Sequence, residues 1–256
     1  MAGSKLLAGI LGILLIFGFV LIGCDNGGGD PVWLADLQNP FIGKWEADIP
    51  SAQMHLIFDY KTDGSFDFEI PGLPADQGRG KGGYLVAGNV MVSYLDFEGA
   101  AGYTFKVVDN DTIDVTEIER INGDGNFVLG ETAPFTRVAG SPVNRENAPF
   151  VLNHPYLGKW EFKAENTVIP ELGPDEHNIA TTYEAGADGI LKYDFELDDN
   201  PPVLAAIPYF IFENTLVVYD PAEGIEAAQI TPAEHDPDII YLTDESGQPM
   251  PLTRIP

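Results

Sequence analysis

The sequence predicts an all-β chain: two small up-and-down antiparallel β-barrels in tandem, behind an N-terminal leader. Three observations predict it. An apolar run from Leu6 to Gly23 follows Lys5 and ends at the chain's single cysteine, Cys24. The remainder holds one unit of about 100 residues written twice. Within each unit the hydrophobic period is two, in short runs separated by Gly, Asn and Asp, with no amphipathic helix of useful length. An uninterrupted meander of short strands favours a barrel, because closure removes exposed sheet edges; a β-sandwich is the alternative.

Taken in order, residues 1–23 carry a short positive region, an apolar core and a small residue before the cut, the pattern of a secretory signal peptide. Leu21-Ile22-Gly23-Cys24 places the cysteine where a bacterial lipobox requires it. The stretch resembles a bacterial lipoprotein signal, and the resemblance implies a mature chain that begins at a diacylated Cys24. An uncleaved membrane anchor is the alternative, since about 18 apolar residues just span a bilayer. Both readings leave residues 25–256 outside the cytoplasm. Residues 24–38, opening with Asp25-Asn26-Gly27-Gly28-Gly29-Asp30, read as the lipidated cysteine and a flexible tether. The expected location is the bacterial cell envelope, lipid-anchored on the periplasmic side or at the cell surface, with the membrane as first partner.

Forty acidic residues oppose 13 basic ones, for a net charge of −27. Such a chain repels phosphate backbones and anionic head groups, which excludes nucleic acid as a partner. At 45% hydrophobic and 11% aromatic residues it is nonetheless a folding sequence. With Cys24 committed to the anchor, no disulfide is available.

The repeat is read from residue identities. Asn39-Pro40-Phe41-Ile42-Gly43-Lys44-Trp45-Glu46 returns as His154-Pro155-Tyr156-Leu157-Gly158-Lys159-Trp160-Glu161. Asp63-Gly64 returns as Asp188-Gly189, an Asp-Gly hairpin signal each time. Tyr84 to Tyr94 matches Tyr209 to Tyr219, turning at Asn89 and Asn214, and Phe135-Thr136-Arg137 matches Leu252-Thr253-Arg254. Repeat one therefore covers 39–138, a turn-rich linker 139–153, and repeat two 154–256. In the first repeat the alternation predicts strands at 42–48, 54–60, 65–70, 82–87, 90–95, 103–108, 112–118 and 126–138, the last broken at Pro134.

Gly43-Lys44-Trp45 and Gly158-Lys159-Trp160 on the first strands, with Arg137 and Arg254 on the last, resemble the signature of lipocalin-like barrels. The resemblance spans 39–256, although each copy is shorter than usual and ends without a clear helix. It implies that Trp45, Arg137, Trp160 and Arg254 are structural, each arginine lying across its tryptophan to close a barrel base. Such a cation–π pair contributes about 0.5 to 2 kcal/mol, depending on desolvation. It also implies a ligand site at the open mouth. Candidate lining residues are Phe58, Phe66, Phe68, Tyr84, Tyr94 and Tyr103 in repeat one. In repeat two the candidates are Tyr183, Tyr193, Phe195, Tyr209, Phe212 and Tyr219. Ordinary core packing is the competing reading for the same aromatics.

Motifs for chemistry are missing. No nucleophile elbow, phosphate loop or nucleophile–histidine motif occurs, so no catalytic residue, enzyme activity or cofactor is expected. His55, His154, His177 and His235 lack metal-ligand spacing, so no metal site is expected. Asp175-Glu176-His177 and Glu234-His235-Asp236 read as solvated loops, and Gly78 to Gly83 as a flexible connection. The expected function is the binding or sequestering of a small apolar ligand. The alternative is a non-enzymatic surface module with filled barrels that contacts a macromolecular partner of unknown kind.

Overall fold

The structure, a computed structural model, describes residues 39–49, 52–95, 99–121, 127–141, 152–168, 175–198, 200–220, 224–243 and 247–256. Cys24, the leader, the tether and most of the linker lie outside the described residues. The first barrel comprises β1 (Gly43–Ile49), β2 (Met54–Tyr60), β3 (Ser65–Glu69), β4 (Arg79–Ala87), β5 (Val90–Leu95), β6 (Gly99–Val107), β7 (Thr112–Ile121) and β8 (Phe127–Arg137). The second comprises β9 (Gly158–Val168), β10 (Glu176–Ala185), β11 (Ile190–Leu197), β12 (Val203–Phe212), β13 (Thr215–Asp220), β14 (Gly224–Pro232), β15 (Ile239–Thr243) and β16 (Pro249–Ile255).

Every strand pairs with the next, and β8 returns to β1 as β16 returns to β9, so both sheets are closed antiparallel barrels. No helix occurs among the described residues. Eight strands enclose an interior just wide enough for side chains to fill, so inward residue size decides whether space remains.

The turns explain the repeated motifs. Gly64 and Gly189 sit at φ of +79° and +80°, and Asp63 and Asp188 each accept the backbone N–H two residues on. Gly43 and Gly158, entering the first strands, have φ of +112° and +115°, a region closed to residues with a Cβ. Glycine in Gly-Lys-Trp-Glu is thus a backbone requirement, and Trp is core. Lys44 and Lys159 are surface groups facing Asp59 and Glu184 across the ladder.

Three sequence expectations are corrected. β8 runs unbroken through Pro134, which pairs with Asp114 one residue past the last β1 contact, Ala47 with Phe135. Proline is tolerated there because the strand needs only one bonded neighbour. The irregularity lies instead at Thr116 to Arg120 of β7. Arg79 to Gly83 belong to β4 rather than to a loose connection. Their glycines make room for rings: a Cβ on Gly80 or Gly82 would lie 2.4 Å from the ring of Phe68 or Phe66. Glu176 and His177 open β10, and His177 Nδ1 lies 2.8 Å from Asp198 Oδ2, so this pair is not a solvated loop.

Candidate functional site

The two barrels are closed at one end by the same device. In barrel one the turn at residues 39–42 crosses the base, and the Trp45 indole N–H donates to the Phe41 carbonyl. The Arg137 guanidinium lies 4.1 Å from the Trp45 ring centroid and donates to the carbonyls of Ile42 (3.2 Å) and Asn110 (3.0 Å). Asp111 stands beside it, but burial dominates and lowers the arginine's pKa. In barrel two Trp160 Nε1 donates to Tyr156 O at 2.9 Å, and Arg254 lies 4.3 Å from the Trp160 ring. Arg254 donates to the carbonyls of Leu157 (3.2 Å) and Pro155 (2.7 Å), with Asp238 alongside.

A second bond circuit ties each turn to the wall. Asn39 Oδ1 accepts the Phe41 N–H, Asn39 Nδ2 donates to the Tyr84 hydroxyl, and Tyr84 donates to the Lys61 carbonyl. In barrel two His154 replaces Asn39: Nδ1 accepts the Tyr156 N–H, Nε2 meets the Tyr209 hydroxyl, and Tyr209 donates to Gly186 O. Burial pushes the phenols of Tyr84 and Tyr209 well above their ordinary range and holds His154 down at about 4.

Above the base the interiors diverge. Barrel one is filled by rings. Tyr60 lies 4.9 Å from Tyr84, 5.3 Å from Phe66, 5.5 Å from Phe41 and 5.7 Å from Phe58, centroid to centroid. Phe41 adds Phe105 at 5.0 Å, and Phe58 stacks on Phe135 at 5.3 Å.

Strand register gives the matching positions in barrel two. Ala185 pairs with Gly158 as Tyr60 pairs with Gly43, and Leu191 pairs with Ala185 as Phe66 pairs with Tyr60. Leu252 faces Ile240 as Phe135 faces Ile113, and Ile230 bonds the Asn214 carbonyl as Phe105 bonds that of Asn89. Four aromatic rings are thus replaced by Ala, Leu, Leu and Ile. The space they leave is an apolar cavity of about 40 Å³, walled by these residues with Tyr156, Trp160, Tyr183, Tyr209, Ile211, Leu216, Ile240 and Leu242.

The sequence candidates fall into separate environments. Tyr183 and Tyr209 line the cavity, and so does Trp160, which was assigned to closure. Tyr193 and Phe195 share the inward face with Leu191 but lie outside the cavity wall. Phe212 and Tyr219 stand at odd spacing from the lining residues Ile211 and Leu216, so they point away from the interior. Tyr94 matches Tyr219 in register and shares that placement, because Met91 matches Leu216. Burial raises the Tyr219 phenol to about 12, with Asp220 adding to the shift. In barrel one Phe58, Phe66 and Tyr84 belong to the ring cluster, Phe68 covers Gly80, and Tyr103 stands near enough to Tyr60 to add to the rise that burial imposes on its phenol.

Sequence reasoning passed over Asn39, His154, Tyr60, Phe105 and Phe135. Aligned copies already set His154 against Asn39 and Leu252 against Phe135, but no sequence signal shows that the exchanged rings share one interior. Among the described residues no cluster of three or more His, Cys, Asp or Glu could hold a metal ion.

No protein-family model matches this sequence. No curated protein matches it either. Among solved structures it is similar to a protein of unknown function from the DUF3598 family of Nostoc punctiforme. That likeness covers 89% of this chain and 100% of the other, at 16% identity and a TM-score of 0.22.

Proposed function

We propose that this chain is a lipid-anchored, lipocalin-like binding protein of a bacterial envelope, without enzymatic activity, whose second barrel holds a small apolar molecule against Trp160. The cavity of barrel two carries this reading. Water needs only about 10–15 Å³ of such space, but it also needs two or more polar partners, and an apolar lining offers few. At about 40 Å³ the cavity suits a ligand of a few heavy atoms; an acyl chain is too large. The anchor and the envelope location rest on the sequence around Cys24.

A second reading concerns barrel one. Its interior is occupied by its own rings, which favours a surface role: contact with a macromolecular partner through its outer strands or loops.

Native mass spectrometry of protein purified from its own envelope fraction, followed by extraction of bound small molecules, tests the first reading. A stoichiometric apolar compound supports it. A chain that arrives empty and also fails to take up xenon at barrel two overturns it. Cys24→Ser should leave the protein unlipidated, and unchanged membrane retention would contradict the anchor.

A further inference from the structure

We propose that His154 is a proton-operated latch on the closed end of barrel two: proton uptake by its ring frees the turn at residues 154–157, and with it Tyr156, from the cavity. The inference rests on the reading of that cavity as a ligand site.

Hydrogen-bond direction carries the argument. The Tyr156 N–H can only donate, and His154 Nδ1 lies 3.2 Å away, so Nδ1 is bare and the neutral ring bears its proton on Nε2. Nε2 then donates to the Tyr209 hydroxyl at 3.3 Å, which itself donates to Gly186 O at 2.8 Å. Every donor in the circuit meets one acceptor. Asn39 plays the same part in barrel one, with Oδ1 as the bare acceptor at 3.1 Å and Nδ2 as the donor at 2.8 Å. An amide keeps that arrangement at any ordinary pH, whereas an imidazole does not. A second proton must go onto Nδ1, setting N–H against N–H and removing the acceptor of the Tyr156 N–H, one of the bonds that hold the turn.

The surroundings offer the cation no ion pair. β12 presents neutral Tyr209, and the β10–β11 turn carries Asp188, which acts on Tyr209. From β16 comes Arg254, a second positive charge bonded to Pro155 O of the same turn. The β12–β13 turn contributes Glu213 and Asn214, the latter accepting the Tyr156 hydroxyl. Among the described residues no carboxylate lies within ion-pairing distance of the imidazole. Burial accordingly holds the group far below an ordinary histidine. Releasing the turn returns the ring to water and moves Tyr156, a wall of the cavity.

The test is amide hydrogen exchange of the full chain at pH 7 and pH 5, comparing Tyr156 with Phe41 as a control inside the same molecule. Linkage predicts that the protection factor of Tyr156 falls roughly tenfold more than that of Phe41, while His154→Asn, which copies barrel one, removes the difference. Equal falls at the two amides overturn the latch, as does a pH dependence that survives in His154→Asn. Should that variant fail to fold, NMR titration of the wild-type imidazole decides. An ordinary titration near pH 6.5 with Tyr156 still protected overturns the proposal. Xenon uptake at pH 7 separates the two ideas: a pH-dependent Tyr156 without xenon binding sustains the latch and removes the ligand reading.

Discussion

In barrel one the ring of Phe41 lies 5.0 Å from Phe105 and 5.5 Å from Tyr60, and rings pack the interior. In barrel two Tyr156 occupies the same place in the turn, but Ile230 and Ala185 stand at the positions of those rings and line a cavity of about 40 Å³. The frame around both is the same: a positive-φ glycine, a buried tryptophan, an arginine over it, and eight strands in one order. Keeping the backbone frame constrains a few positions tightly. Filling the barrel is a separate choice, made by residues that can change size without changing the strand pattern. Ring-for-aliphatic exchange at a few inward positions thus separates a ring-packed barrel from one with a cavity.

The largest expected effects come from breaking the shared frame. Trp45→Ala and Trp160→Ala should each cost about 3–5 kcal/mol and lower the melting of only the barrel that carries the change. Calorimetry of each variant checks this, and an unaltered melt in either would remove the closure role.

Next comes the difference in filling. Tyr60→Ala in barrel one copies Ala185, and the loss of a buried ring packed on four others should cost about 3–5 kcal/mol. If filling alone separates the barrels, this variant gains a xenon site that wild-type barrel one lacks. Failure to gain one would show that the backbone, too, has diverged.

A smaller contrast is electrostatic. His154 titrates near 4 in the fold against 6.5 in the free side chain, so unfolding takes up a proton at intermediate pH. Its contribution is fully present above about pH 6.5 and is lost as the pH falls toward 4, with Asn39 contributing no such term in barrel one. Melting curves between pH 7 and pH 5 should show barrel two losing stability faster, and His154→Asn should bring the two slopes together.

The smallest effect concerns one turn. Gly88 and Glu213 open the equivalent two-residue hairpins with φ of +59° and +55°. Only the glutamate pays a steric penalty, so Glu213→Gly should stabilise barrel two by about 1 kcal/mol. Urea denaturation measures it, and a zero or negative change would mean that the Glu213 side chain makes compensating contacts.

Much of the fold was legible because it was written twice and in strong local signals. Alternation placed the strands, and Asp-Gly placed the β2–β3 and β10–β11 hairpins. The Gly-Lys-Trp and Thr-Arg pairs marked the strands that meet at closure, Trp45 beside Arg137 and Trp160 beside Arg254. Less was legible where both strand faces are apolar. Val90 to Tyr94 and Thr215 to Tyr219 are buried throughout, so period two could not say that Tyr94 and Tyr219 turn away from the interior. Pro134 read as a break because sequence does not show where the neighbouring strand ends.

The sequence by itself determined the all-β class, the duplication, the net charge of −27 and the Asp-Gly turns. These are properties of single residues and their near neighbours. Only the tertiary structure decided which barrel is hollow. Tyr60, Phe66, Phe105 and Phe135 come from four different strands and meet only when the sheet closes, so the volume they fill belongs to the closed barrel and to no local stretch of chain.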